Sequence, residues 1–236
     1  PVNVGEKQLK LVLKLLKDSE KLSKYLKISE GLRIPEKLES LHKEDFEIVK
    51  QYQFSRYSNV KLGGFIRGVD LKKIINEKTE RFRNICKEKI IIAEDALFIS
   101  ATVDKKGRVP QGGVYFATPL FDNVSLVMML GLLNSKLLSF IYKSLFGGMH
   151  MGGGYLRYRT SFLYELPIKI SRNSVSFKKL VENELCLNIK LCESEENSNE
   201  WQKIKGEIAK TDKKIDEEVY KLYRLTEEEI GIVEHA

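Results

Sequence analysis

The sequence predicts an α+β fold: a small mixed or antiparallel sheet with packed helices, followed by a C-terminal antiparallel helical hairpin. Three observations predict it. KIIIAEDALFISATV at 89–103 is rich in β-branched residues and reads as strand. VSLVMMLGLL and KLLSFIYKSLF, at 124–133 and 136–146, read as two strongly apolar helices around Asn134-Ser135. Two long amphipathic stretches, Phe177 to Cys192 and Trp201 to Leu222, are joined only by the polar ESEENSN.

In chain order, Glu6 to Lys27 reads as an amphipathic helix. Leu9, Val12, Leu13 and Leu16 form its stripe, Leu22 and Leu26 extend it, and lysines 7, 10, 14, 17 and 21 take other positions. Such a stripe needs a partner surface, on this domain or on one upstream. Pro35 suits the first turn of a short helix through Leu41. In 51–70, aromatic and basic residues alternate (Tyr52, Phe54, Arg56, Tyr57, Lys61, Phe65, Arg67) between glycine turns, and Asp70 suits the N-cap of a short helix to Ile75. After the strand run, Asp104 to Arg108 reads as a hairpin loop with Gly107 placed where positive φ is often needed, and Val114 to Thr118 as the returning strand. That puts Lys105, Lys106 and Arg108 on a loop tip, which either enters a groove or is simply solvated. Asp122 or Asn123 suits the cap of the first apolar helix, and Gly147-Gly148 ends the second. Met128-Met129 is core filling. Phe177, Leu180, Val181, Leu185 and Leu191 point inward from one helix of the hairpin. Trp201, Ile204, Ile208, Ile215 and Leu222 form a seam on the other, with Thr211 and Glu218 as misses. Thr226 with Glu229 is a capping box for a last short helix.

Charge divides the chain. Of 40 Lys+Arg and 33 Asp+Glu, residues from Asn173 onward hold 10 basic and 15 acidic, leaving 30 and 18 before them. The body is thus +12 and the tail −5, the pattern of a body that meets a polyanion, or of a lysine-rich surface that is merely solvated. Three scattered cysteines without CxxC spacing suit neither a disulfide framework nor zinc and fit a reducing cytoplasm. No secretory leader is expected, and the most apolar run, Leu126 to Leu133, is too short to span a bilayer. Neither a nucleotide-binding loop nor a metal-spaced histidine pair occurs, and Glu94-Asp95 reads as a strand-edge feature rather than a nuclease site.

The stretch 147–168, GGMHMGGGYLRYRTSFLYELPI, is unlike either helix or strand, with five glycines in its first eight residues. Glycine there serves a close approach or a positive φ, and arginine with tyrosine holds phosphates and bases. No acidic residue lies between Asp122 and Glu165, so Lys136, Lys143, Arg157 and Arg159 are expected to act without local neutralisation. The expected phosphate contacts are Arg67, Arg157, Arg159, Lys61 and Arg56. Candidates for reading base edges are Met149, His150, Gln111, Lys105, Lys106 and Arg108. Gly147, Gly148, Gly152, Gly153 and Gly154 would let the loop approach closely. Tyr155 and Tyr158 would stack or pack beside it, Tyr158 equally as a core residue. His150 lacks an acidic orienter and is a weak candidate for catalysis.

Three segments, FIRGVDLKKI at 65–74, LGLLNSKLLSFIYK at 130–143 and GGGYLRYRTSFLYELPI at 152–168, together resemble the TaqI-like C-terminal specificity domain. This is the target-recognition domain of adenine-specific DNA methyltransferases, including type IIG restriction–modification enzymes. KEKIIIAEDALFISATVDKKG at 87–107 is similar to the strand pair of that family, and VYKLYRLTEEEI at 219–230 to its helical spacer. One departure is Ala93-Glu94-Asp95, where relatives often carry an arginine. The resemblance, over roughly 28–170, implies an α+β domain that selects sequence in double-stranded DNA. A separate methyltransferase or nuclease domain, in the same chain or complex, would do the chemistry with S-adenosylmethionine. The implied division is an N-terminal helix or linker at 1–27, a target-recognition domain at 28–172 and a helical spacer at 173–236, non-catalytic and in a prokaryotic cytoplasm. The rival reading is a protein-interaction module that works through the helical hairpin.

Overall fold

A computed structural model of the protein describes residues 5–147, 152–171 and 174–235. Helix α1 (Glu6–Lys17) is followed by strands β1 (Glu20–Lys21), β2 (Leu26–Glu30), β3 (Phe46–Val49) and β4 (Phe65–Ile66). Helices α2 (Gly68–Ile74) and α3 (Glu80–Ile85) lead to β5 (Lys89–Ala93), β6 (Asp95–Ala96), β7 (Ala101–Asp104), β8 (Val109–Pro110) and β9 (Val114–Pro119). Then come α4 (Leu126–Leu133), α5 (Lys136–Phe146), β10 (Leu156–Arg157), α6 (Thr160–Leu163) and β11 (Pro167–Ile168). The chain closes with α7 (Val175–Glu193), α8 (Asn199–Tyr223) and α9 (Glu227–Glu234). The fold is α+β, as expected.

The main sheet runs β2-β9-β5-β7, antiparallel throughout. Strand β5 is one of its two inner strands, paired on both edges and packed against α4, and its Ile90, Ile91 and Ile92 are fully buried. That burial corrects the expected hairpin. The run 89–103 is not one strand: β5 ends at Ala93, and residues 97–100 bend the chain so that β7 returns along β5. Strand β9 then pairs with the other edge of β5, not with β7. Residues 104–108 therefore link β7 to β8, which lies parallel to β3. Gly107 does take a positive φ of 67° there.

The amphipathic helix at the N-terminus is shorter than its stripe suggests. It stops at Lys17, and its buried face is Leu11, Val12 and Leu15, while Leu9 and Leu13 are exposed. LKLVLKLL offers two overlapping stripes, and docking on α5 and α9 selects one. The short helix after Pro35 is a single 3-10 turn, Glu36–Leu38. Arg67, not Asp70, is the N-cap of α2, and Ser125, not Asp122 or Asn123, caps α4 by accepting from the Met128 amide. Ser135 caps α5 and Gly147 ends it, as expected.

Helices α4 and α5 are the most apolar part of the fold and are bent from one another by 58°. No single helix among the described residues is long and apolar enough to cross a membrane. Met129, Leu130, Leu132, Leu133, Leu137 and Leu138 are fully buried in the core. Helices α7 and α8 pack on each other, and α7 packs on α4. Gly131 permits that contact: a Cβ there would stand 2.5 Å from Val181 Cγ2 and 2.7 Å from Phe177 Cζ. Thr211 is buried in the α8 seam, so this apparent miss belongs to the inner face.

Candidate nucleic-acid interface

Segments far apart in sequence meet around a cleft of about 820 Å³. It is lined by the turn after β3, by residues 95–98, by the 111–113 turn between β8 and β9, and by Tyr155. The β6–β10 pairing makes this possible, since it places Arg157 opposite Asp95 and Leu156 opposite Ala96. Polar groups in the cleft are held by each other. Lys50 Nζ lies 2.5 Å from one Glu39 carboxylate oxygen, and Gln111 Nε2 donates to the other at 2.7 Å. Gln51 Nε2 donates to the Asp95 carbonyl at 2.8 Å. The Gln111 carbonyl oxygen Oε1 is buried without a partner among the described residues. Such an acceptor costs about 1–3 kcal/mol when unfilled.

Arg157 stands beside the cleft, half exposed. Its guanidinium donates to both Asp95 oxygens, at 3.0 and 3.3 Å, and Glu94 Oε1 lies 3.8 Å from its Nε. Hydrogen bonding to Asp95 raises its pKa further. The expectation of unneutralised cations in this region is therefore corrected for Arg157. It is corrected for Lys136 too, which pairs with Glu234 at 2.6 Å. The acids are absent locally in sequence and supplied by tertiary contacts. Lys143 and the exposed Arg159 make no ion pair among the described residues. Tyr142 threads the strip: its hydroxyl donates to the Arg157 carbonyl and accepts from the Arg159 amide, each at 3.0 Å. Tyr158 is a core residue, fully buried with its ring centroid 4.6 Å from that of Tyr142, whereas Tyr155 is exposed at the cleft. Gly153 and Gly154 have φ of 75° and 82°, a region that side chains rarely enter, and Gly152 belongs to the same 3-10 turn. Gly148, Met149 and His150 lie outside the described residues.

Other expected contacts are dispersed. Arg56 is corrected: it is half-buried, bonding Asp212 of α8 at 2.7 and 3.1 Å and the Asn134 carbonyl at 2.6 Å, so its charge joins body to hairpin. Arg108 is corrected likewise, buried against Asp104 at 3.1 Å and Glu47 at 2.7 Å. Lys105 and Lys106 are exposed but border a small hollow beside Leu185 and Ile189 of α7, away from the cleft. Arg67 is exposed and pairs with the buried Asp70 at 2.6 Å, and Lys61 is exposed; neither lines the cleft. Lys50, Gln51, Leu97 and Phe98 line it without having been singled out. The signal available for the last two was an apolar pair inside a run read as continuous strand.

The sequence model of the TaqI-like C-terminal specificity domain matches residues 38–168, more than half of the chain. The chain belongs to this family. Every cleft-lining residue falls inside the matched segment of the TaqI-like specificity domain. Among solved structures, the chain is similar to the type IIL restriction–modification enzyme MmeI in complex with DNA. The identity is 14% and the TM-score 0.45, over 94% of this chain and 31% of that one. It is also similar to the type I restriction–modification S subunit of M. genitalium, at 12% identity and TM-score 0.39, over 88% of this chain and 52% of that one. The chain thus spans about a third of the first and half of the second. No curated protein matches it. Among the described residues no group of three or more His, Cys, Asp or Glu could hold a metal ion.

Proposed function

We propose that this specificity domain reads a sequence in double-stranded DNA and so places a separate methyltransferase or nuclease domain, an adenine-specific one, on its target. The supporting observation is the cleft: inside the family segment, two glutamines and a lysine are oriented by Glu39 and Asp95, beside Arg157 and exposed tyrosines. Glutamine pairs with adenine edges, and arginine and lysine with guanine edges or phosphates. Arg157 and Arg159 are assigned to phosphates, and Gln111 with Gln51 to base edges. Lys61 and Arg67, exposed elsewhere, add non-specific attraction.

Binding titrations against a panel of duplexes at several salt concentrations test this. Arg157→Ala weakens binding to all duplexes alike and lowers the salt slope by about one. Gln111→Ala changes the ranking of duplexes, with about 1–3 kcal/mol lost on the preferred one. Retention of duplex DNA that is insensitive to salt, or none at all, would remove the assignment. The rival interaction-module reading has less to work with, because the inner faces of α7 and α8 are spent on each other and on α4 and α5.

A further inference from the structure

Two adjacent large apolar side chains stand exposed beside the cleft. Leu97 is 49% and Phe98 55% exposed, on the bend between β6 and β7. They line the 820 Å³ cleft on one side and a smaller hollow of about 300 Å³ on the other, so together they form a ridge between two depressions. The ridge is rigidly founded. Ile99, directly behind it, is fully buried, and its amide donates to Ser139 Oγ of α5 at 3.1 Å. Ser100 Oγ donates to the Phe98 carbonyl at 3.1 Å, and Asn134 exchanges two hydrogen bonds with the Ala101 backbone, each of 2.9 Å. In front, Ala96 is held by pairing with Leu156. The glycine loop lies against the ridge, for a Cβ on Gly154 would stand 3.7 Å from Leu97 Cδ2.

The surroundings say what covers such a ridge. Lys143, which makes no ion pair among the described residues, lines the smaller hollow together with the paired Lys136 and Glu234, while Lys50, held by Glu39, lines the cleft beside Asp95, the partner of Arg157. Tyr155 and the largely exposed Tyr52 present rings on the cleft side. Apolar tips with aromatic rings on one side and an unpartnered lysine on the other match stacked bases strung on phosphates better than an apolar protein surface, which the lysines would have to desolvate to meet.

We propose that Phe98, backed by Leu97, is a wedge that enters a base step of the bound duplex and unstacks it. The opened base then rests against Tyr155 and Tyr52 in the cleft. This rests on the DNA-reading function proposed above. A wedge pays the cost of unstacking on intact DNA and avoids it where stacking is already interrupted. The 236-residue chain is therefore titrated, by fluorescence anisotropy, with a labelled mixed-sequence duplex and with the same duplex carrying one central abasic position. The wild-type chain is expected to bind the abasic duplex about tenfold more tightly. Phe98→Ala should bind both duplexes alike, and Phe98→Tyr should keep the preference. Because Phe98 is exposed, both variants are expected to fold, which circular dichroism checks. Equal binding of the two duplexes by the wild type, or a preference that survives in Phe98→Ala, overturns the wedge while salt-sensitive binding leaves the DNA-reading function standing. Failure to bind either duplex at low salt overturns both.

Discussion

Arg157 is already committed to a partner before any ligand arrives. Its bidentate contact with Asp95, reinforced by Glu94, means that a phosphate must compete with a carboxylate for the same guanidinium. Charge-assisted pairs of this kind are geometrically exacting but weak when exposed to water. On the proposed assignment a ligand phosphate recruits Arg157 at modest cost, and we infer that the carboxylates brake indiscriminate binding. Asp95→Asn releases that brake: affinity for unrelated duplexes should rise about two- to tenfold at low salt, since the like charge facing the phosphates is removed. Anisotropy titrations show it directly, and a variant that binds unrelated duplexes more weakly would mean that Asp95 serves binding rather than restrains it. Arg56 and Arg108 illustrate the opposite fate. Both looked like surface cations in sequence, and both are spent on carboxylates inside the fold's own contacts: Arg56 on the half-buried Asp212, and Arg108 on the buried Asp104 and the half-buried Glu47.

At the scale of elements, the contact between α4 and α7 depends on Gly131. Gly131→Ala would drive a methyl into Val181 and Phe177 and force the hairpin outward. The expected loss is about 1–3 kcal/mol in urea unfolding, and an unchanged midpoint would show that the hairpin yields freely. Between the hairpin and the body lies a group of acids around Arg56. Burial, with Asp212 nearby, pushes the Glu184 carboxyl from 4.5 up to about 7, and burial pushes Asp216 from 3.8 up to about 6. In the fold these groups hold protons that the unfolded chain has already released. Their contribution is thus most favourable at low pH and is lost as pH rises from about 4 to 7. Glu184→Gln keeps the shape and removes the ionisation. It should match the wild type at pH 4 and exceed it by about 1–3 kcal/mol at pH 8, measured by urea unfolding at each pH. A variant less stable at pH 8 would show that the ionised Glu184 supports Arg56 instead.

Across the whole molecule, the charge division read from composition is real but is partly cancelled by folding. Lys7 and Lys14 of α1 pair with Glu228 and Glu229 of α9, Lys136 with Glu234, and Arg56 with Asp212, so the acidic tail folds back on the basic body. Local sequence determined what local physics controls. The α+β class, the Asn134-Ser135 break, the α5 cap at Ser135, the Thr226–Glu229 capping box and the long α7 and α8 depend on periodicity and on hydrogen bonds within a few residues. The three family segments were legible for the same reason, as short strings of side chains. Only the tertiary structure decided which edge of β5 receives β9, which stripe of α1 is buried, and which arginines remain outside. Those outcomes depend on partners tens of residues away, and a one-dimensional pattern carries no distance between them. The cleft belongs to this second kind: Lys50, Asp95, Gln111 and Tyr155 share it only because β6 pairs with β10 and because Glu39 bridges Lys50 to Gln111.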